Sequence, residues 1–381
     1  MFVWLFKSKS PSSEQSKRWV LSWLALVFAA MASNAAVNYV VDPFGIFRSS
    51  FFPYQFQINE RYLKIEHLKA HHQRYDTYLF GSSRIGTMQP DVVQKYLPGS
   101  SVYNFTLASG NIYEYLLHLE YFLNQGFTVK NLLIQIDIEN MARYGAHDSD
   151  NLRRLHPDVT GESEYLYLAH YLVEFFPKNI RRKIRNNLER HDYLEYDLED
   201  GGAWTRREKE ERMREDCCRY VANEASFHVK RERRIRASDL EETVAAVKRI
   251  RKLCRDNGIN LYLFTMAQNA HTMDTFKVDA YLAFLGALAK TGSYFDFSGY
   301  NSVTTNDCNY YEWSHYRPKV ARWIAARIFH DSSVDVPNDF GVWVTRENIE
   351  RHFLEQKQAM QCYQKGGTCH PMPELVAISK Q

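Results

Sequence analysis

Four short apolar runs punctuate the chain: TYLFGSS (77–83), SVYNFTL (101–107), NLLIQIDI (131–138) and INLYLFTMA (259–267). Each is rich in aromatic and branched residues and apolar at both alternating sets of positions, which marks strands covered on both faces. A shorter fifth run, YFDFS, spans 294–298. Between the runs the period changes to that of a helix. From Ser238 onward, Leu240, Val244, Val247, Ile250 and Cys254 fall on one face; Glu241 completes a capping box with Ser238, and Gly258 closes the segment. KVARWIAARIF, directly after Pro318, begins at a favoured helix-start position. The alternation predicts a three-layer α/β fold with a mostly parallel five-stranded sheet, right-handed crossovers and a site at the C-terminal strand ends.

Two stretches do not fit this alternation. Residues 19–41 contain no charged side chain and as a helix would be about 35 Å long, enough to cross a bilayer. Lys7, Lys9, Lys17 and Arg18 precede the stretch against the single acid Glu14, so the positive-inside rule puts residues 1–18 in the cytoplasm and the rest outside. This predicts a single-pass protein of a bacterial cytoplasmic membrane with its main domain periplasmic or extracellular. A cleaved signal peptide is the rival, since Ala30-Met31-Ala32 fits a small-x-small cleavage site.

The second stretch is an insertion over 143–237, too long for a loop. It combines the aromatic block YLYLAHYLVEFF with the charge runs NIRRKIRNNLERH, RREKEERMRED and VKRERRIR. It is expected to form a helical cap whose basic clusters, Arg181, Arg182, Lys183 and Arg185 and then Lys230, Arg231, Arg233, Arg234 and Arg236, border the site; plain solvated helix faces are the alternative. The layout is therefore a basic tail (1–18), an anchor (19–41), a connector (42–74), an α/β domain (75–142 and 238–330) split by the cap (143–237), and a C-terminal tail (331–381). The net charge of +3 gives no signal for nucleic acid. Six cysteines are too few for a disulfide scaffold; Cys362 and Cys369 are spaced to pair, and no metal spacing is present. Glu114 and His118, at i and i+4, are expected to be a surface pair.

The chemistry concentrates at two places. The first strand run ends in Phe80-Gly81-Ser82-Ser83-Arg84, which puts a serine at a strand end before a turn. The P-loop lysine and G-x-G-x-x-G are both missing, which disfavours a nucleotide binder, and no cofactor motif is present. A serine nucleophile needs a base and an orienting acid. Of 14 histidines, His315 alone has an acid three residues before it, Glu312, within Tyr310-Tyr311-Glu312-Trp313-Ser314-His315-Tyr316. Asp296, within the fifth run, is the alternative acid, with loop capping as its plainer role, and Tyr316 is a candidate for stacking on a sugar.

These residues resemble the ordered blocks of the SGNH (GDSL-type) hydrolase superfamily over most of 75–330. FGSSR resembles the first block and implies Ser83 as nucleophile. NFTLASGN resembles the second, implying that the Gly110 N–H joins that of Ser83 in an oxyanion hole. EWSHYRP resembles the last, implying Glu312 and His315. Glu312 replaces the usual Asp, and Gln135-Ile136-Asp137-Ile138-Glu139-Asn140 replaces a Gly-x-Asn-Asp block, leaving Asn111 or Asn140 as substitutes for its Asn. The layout is similar to that of membrane-anchored envelope O-acyltransferases, such as alginate O-acetyltransferases and the teichoic acid D-alanylation protein. The resemblance implies an esterase or O-acyltransferase acting on an envelope glycan or polysaccharide, with a membrane-embedded acyl carrier as a conceivable partner. It sets Ser83 Oγ within about 4 Å of a His315 nitrogen. A catalytically inactive glycan-binding or scaffold subunit is the alternative.

Overall fold

The computed structural model describes residues 13–54, 58–141, 150–189, 195–228 and 237–365. Its central sheet has strands β1 (Thr77–Ser82), β2 (Val102–Leu107), β3 (Asn131–Ile136), β4 (Asn260–Thr265), β5 (Tyr294–Asp296) and β6 (Val342–Val344). Their spatial order is β6-β5-β4-β3-β1-β2, and every pairing is parallel except β5 with β6. The expected five strands are thus six. The extra edge strand comes from the tail, where Val342, Trp343 and Val344 pair with Asp296, Phe295 and Tyr294. The α/β unit therefore extends past residue 330.

Alternation along the strands fills two cores. Tyr78, Phe80, Phe105, Leu132 and Ile134 face helices α3 (Ile112–Asn124), α8 (Ala237–Asp256) and α9 (Val278–Thr291), through Leu119, Val247 and Leu285 among others. Leu79, Leu133 and Phe264 face the opposite way, onto Val320, Ile324 and Ile328 of α10 (Pro318–Ile328). Burying each large apolar side chain contributes about 1.5–3 kcal/mol, so the two faces of the sheet carry much of the fold's stability. The tail helix α11 (Ile349–Gln364) lies on α9, with Phe353 against Gly286.

Helix α1 (Ser13–Val41) stands apart from these cores. Trp19, Leu21, Leu24, Leu26 and Phe28 are exposed along it, and it is long and apolar enough to span a membrane. The connector runs from it into α2 (Glu60–His71), whose Leu68 joins the first core. The insertion divides in two. Its first part, α4 (Glu164–Val173) and α5 (Pro177–Glu189), packs Tyr167, Tyr171 and Phe176 against Phe44, Ile46, Ile58 and Tyr62 of the connector region. Its second part, a short strand at Trp204–Thr205 with α6 (Arg207–Glu215) and α7 (Cys217–Asn223), packs against the segment around Tyr311. Cys217 is disulfide-bonded to Cys308, a cross-link that sequence spacing did not suggest. Cys362 is also disulfide-bonded, and Cys369 lies outside the described residues.

Candidate active site

In the order 2-1-3-4-5 of the parallel strands, the direction of winding reverses between β1 and β3, the place where doubly wound sheets bind ligands. Ser83 opens the 3-10 turn that follows β1, and the Ser82 hydroxyl caps that turn. At Gly81 an added Cβ would lie 2.7 Å from Ile85 Cγ2, so the turn folds back tightly over the strand end. Ser83 is half-buried. Its Oγ lies 2.8 Å from His315 Nε2, and His315 Nδ1 is hydrogen-bonded to Glu312 Oε1. Both residues belong to a small hairpin, Tyr310–Glu312 with His315–Tyr316, in which they are paired. The hairpin presents His315 to the turn of Ser83, with Glu312 on the far side of the imidazole.

The electrostatics suit a neutral imidazole. Burial pushes His315 below its ordinary value; Glu312 pulls it up, while Arg206 and Arg84 add to the lowering. For Glu312, burial raises the carboxyl, but His315, Arg206 and Lys209 outweigh it and hold it at about 2. Arg206 Nη1 lies 2.9 Å from Glu312 Oε2. The Trp204 ring meets His315 edge-on at 5.8 Å between centroids. Trp204 also packs so closely on the turn that a Cβ at Gly86 would overlap its indole. The second part of the insertion therefore reaches the site with an aromatic wall and a cation, neither of which sequence reasoning singled out. Arg206 was hidden in a charge run.

Arg84, also missed, ties the site together. Its guanidinium bonds Asp137 at 2.8 Å, pairs with Glu139, and donates to Ser314 Oγ and to the Ser314 carbonyl at 3.1–3.2 Å. It thus joins the end of β3 to the hairpin between Glu312 and His315. Asp137 also accepts from the Ser82 hydroxyl and, at 2.9 Å, from Gln135 Nε2. Asp137 therefore braces the turn of Ser83 through both neighbours of that residue.

Other expected roles change. The Gly110 N–H donates to the Leu107 carbonyl at 2.8 Å, closing a turn in which Ser109 takes φ +52°; that donor is committed. The Asn111 side chain caps α3 at Tyr113 and Glu114 and donates to Glu114 Oε1 at 3.1 Å. The side chain of Asn140 lies outside the described residues. Asp296 binds His352 at 2.7 Å and does not orient His315. Tyr316 is fully buried with its hydroxyl on Gln135 Oε1, so it cannot stack on a ligand. Glu114 and His118 are buried, not a surface pair: Arg61 reaches Glu114 at 2.6 Å from the neighbouring helix α2. Among the described residues no group of side chains is arranged to hold a metal.

Fold and site together define an α/β protein with a serine–histidine–glutamate array at the switch point of a mostly parallel sheet. The model of a family described as "Protein of unknown function (DUF1574)" matches residues 50–286, more than half of the chain, and the chain belongs to that family. The match includes Ser83, Asp137, Trp204 and Arg206 and stops short of Glu312 and His315. Among curated proteins none matches.

Proposed function

We propose that this chain is a serine-dependent acyl-transfer enzyme acting on a glycan or polysaccharide of the cell envelope. The observation that carries the reading is the hydrogen-bonded series Ser83–His315–Glu312. Ser83 Oγ attacks an ester carbonyl while its proton passes to His315 Nε2, and Glu312 holds the imidazole and offsets the charge that it gains. Collapse of the tetrahedral intermediate returns that proton to the departing alcohol and leaves an acyl-serine. Water or a sugar hydroxyl then attacks, again deprotonated by His315, so the reaction is ester hydrolysis or O-acyl transfer. The Ser83 N–H, at the start of its turn, is the oxyanion donor that this reading keeps. The SGNH resemblance supports the assignment. The apolar α1 and its basic N-terminal flank support an anchored enzyme with its site outside the cytoplasm, and the Cys217–Cys308 bond suits an oxidising compartment. A membrane-embedded acyl carrier would be a natural donor for the transferase form.

A second reading is a glycan-binding or scaffold subunit without catalysis. The observation favouring it is that Gly110, the expected second oxyanion donor, and Asn111, one of the two candidates for a further donor, are engaged elsewhere. Treating the full chain with a fluorophosphonate probe separates the two. Labelling that disappears in Ser83→Ala supports the enzyme; an unlabelled, folded chain supports the scaffold.

A further inference from the structure

Helix α5 turns its polar side inward. Lys183 and Asn186 are buried, with Lys183 Nζ donating to the Asp42 carbonyl at 3.1 Å. Asn187 exchanges two hydrogen bonds with the Tyr54 backbone. Ile184 and Leu188, one turn apart, lie away from these contacts, while Ile180, between the two sides, also packs on the Phe44–Tyr171 cluster. With Phe175 and with Val37 of α1 they line an open groove of about 600 Å³, to which Arg181 and Arg185 also contribute. Leu188 is 78% exposed and Phe175 73%. An amphipathic helix in water normally buries the opposite face.

The position of α1 says what lies over that groove. Its last charged residue on the N-terminal side is Arg18. From Arg18 to Val37 the helix rises about 28 Å, close to the roughly 30 Å of a bilayer's hydrocarbon core. If α1 spans, Val37 stands at the boundary of the far leaflet, and the groove it lines opens there. The register is fixed, because Asn34 and Asn38 donate to the carbonyls of Leu172, Val173 and Glu174 at the end of α4, at 2.8–3.2 Å. The charge is also right: α5 carries Lys178, Arg181, Arg182, Lys183 and Arg185 against the single acid Glu189, whose carboxylate lies 3.5 Å from Arg185. Basic, apolar-faced helices of this kind lie in the lipid interface.

We propose that the α4–α5 corner is a lipid-binding surface: Leu188 and Phe175 enter the leaflet at the C-terminal end of α1, an acyl chain of an anionic phospholipid fills the groove lined by Val37, Ile180 and Ile184, and Arg181 and Arg185 bind its phosphate. This replaces the expected role of the 181–185 cluster at the site; the cluster at 230–236 lies outside the described residues. The inference rests on α1 as a membrane span and is independent of the chemistry at Ser83.

The test uses the full chain in nanodiscs of phosphatidylcholine, alone or mixed with phosphatidylglycerol. Leu188→Cys, in a Cys218→Ser background that removes the exposed free thiol, carries an environment-sensitive fluorophore. Phe175→Cys is the second reporter should the first not fold, and Lys252→Cys on α8 is the control. The expected result is several-fold stronger quenching by spin-labelled lipid at residue 188 than at 252, and more of it with phosphatidylglycerol present. Arg181→Glu with Arg185→Glu should reduce the preference for the anionic lipid about tenfold. Quenching at 188 no greater than at 252 overturns the proposal. So does a reporter shielded from both lipid and aqueous quenchers, which would point to a protein partner. Equal quenching in the two lipid mixtures overturns the assignment to an anionic headgroup.

Discussion

Two histidine–carboxylate pairs lie at different ends of the sheet. His315 and Glu312 sit over the switch point, half-buried, and the imidazole's free nitrogen faces Ser83. His352 and Asp296 sit between α11 and β5, fully buried. Asp296 spends its remaining capacity on Thr265 and Ser298, both at 2.5 Å. Each pair has an imidazole held by an acid. The first offers the opposite edge of that imidazole to a serine at a strand end, whereas the second locks the tail onto the sheet. A histidine–acid contact is therefore ambiguous on its own, and the third partner with its exposure decides what the pair does.

The most severe way to break this comparison is to remove the serine or the base. Ser83→Ala and His315→Ala should each lower ester turnover by about 10⁴-fold or more, with unchanged circular dichroism. His352→Ala, assayed per folded molecule, should retain turnover. Similar losses in all three would mean that the two pairs are not functionally distinct.

Glu312→Gln should come next, reducing turnover by about 10³–10⁴-fold, because a neutral amide neither fixes the required tautomer nor offsets the imidazolium. Loss of less than about tenfold would show that another group orients His315. Lys209 and Arg206, the charges beside Glu312, are both cations and cannot take over.

These residues differ in how far sequence announced them. Ser83, Glu312 and His315 were legible because a strand run ends at Ser83, an acid–histidine spacing marks His315, and the resemblance to the SGNH blocks joins the three. The five main strands were legible because each is a short run dominated by aliphatic and aromatic residues. Strand β6 was not: Val342–Val344 lies in the tail beyond the strand–helix alternation, and its order comes from antiparallel pairing with β5. Arg206 resembles its charged neighbours until the insertion folds it against Glu312. The engagement of Gly110 depends on Ser109 adopting a left-handed conformation, which a serine does not advertise. Glu114 was misplaced on the surface because its partner, Arg61, lies on another helix.

The second pair has its own prediction, in stability. His352→Ala leaves a buried carboxylate without its main partner and should destabilise the fold by about 3 kcal/mol. Burial raises Asp296, but His352, Ser298 and Thr265 outweigh it and keep the carboxyl below its ordinary value. A depressed acid contributes stability above the unfolded value of about 3.9 that is lost as pH falls through the folded value. Urea unfolding between neutral pH and about pH 3 should therefore show a steeper acid loss in the wild type than in His352→Ala. Equal slopes would remove the pair from the stability of the tail.

The smallest effect is the most diagnostic of the insertion's part in the site. Arg206 and Glu312 act on His315 with opposite signs: the guanidinium disfavours the imidazolium and the carboxylate favours it. Activity should rise with pH as His315 loses its proton, with a midpoint below about 6.5 in the wild type, since His315 is depressed. Arg206→Ala removes a cation, so this acid limb should move to higher pH; in Glu312→Gln, whatever activity survives should have its limb moved lower. The Arg206 change should lower peak turnover only modestly, because the Ser83–His315 contact does not pass through it. Arg206→Lys keeps the charge and should restore most of the wild-type midpoint. A loss of turnover in Arg206→Ala without movement of the limb would make Arg206 a packing residue beside Trp204, and the insertion would then shape the site without tuning its base.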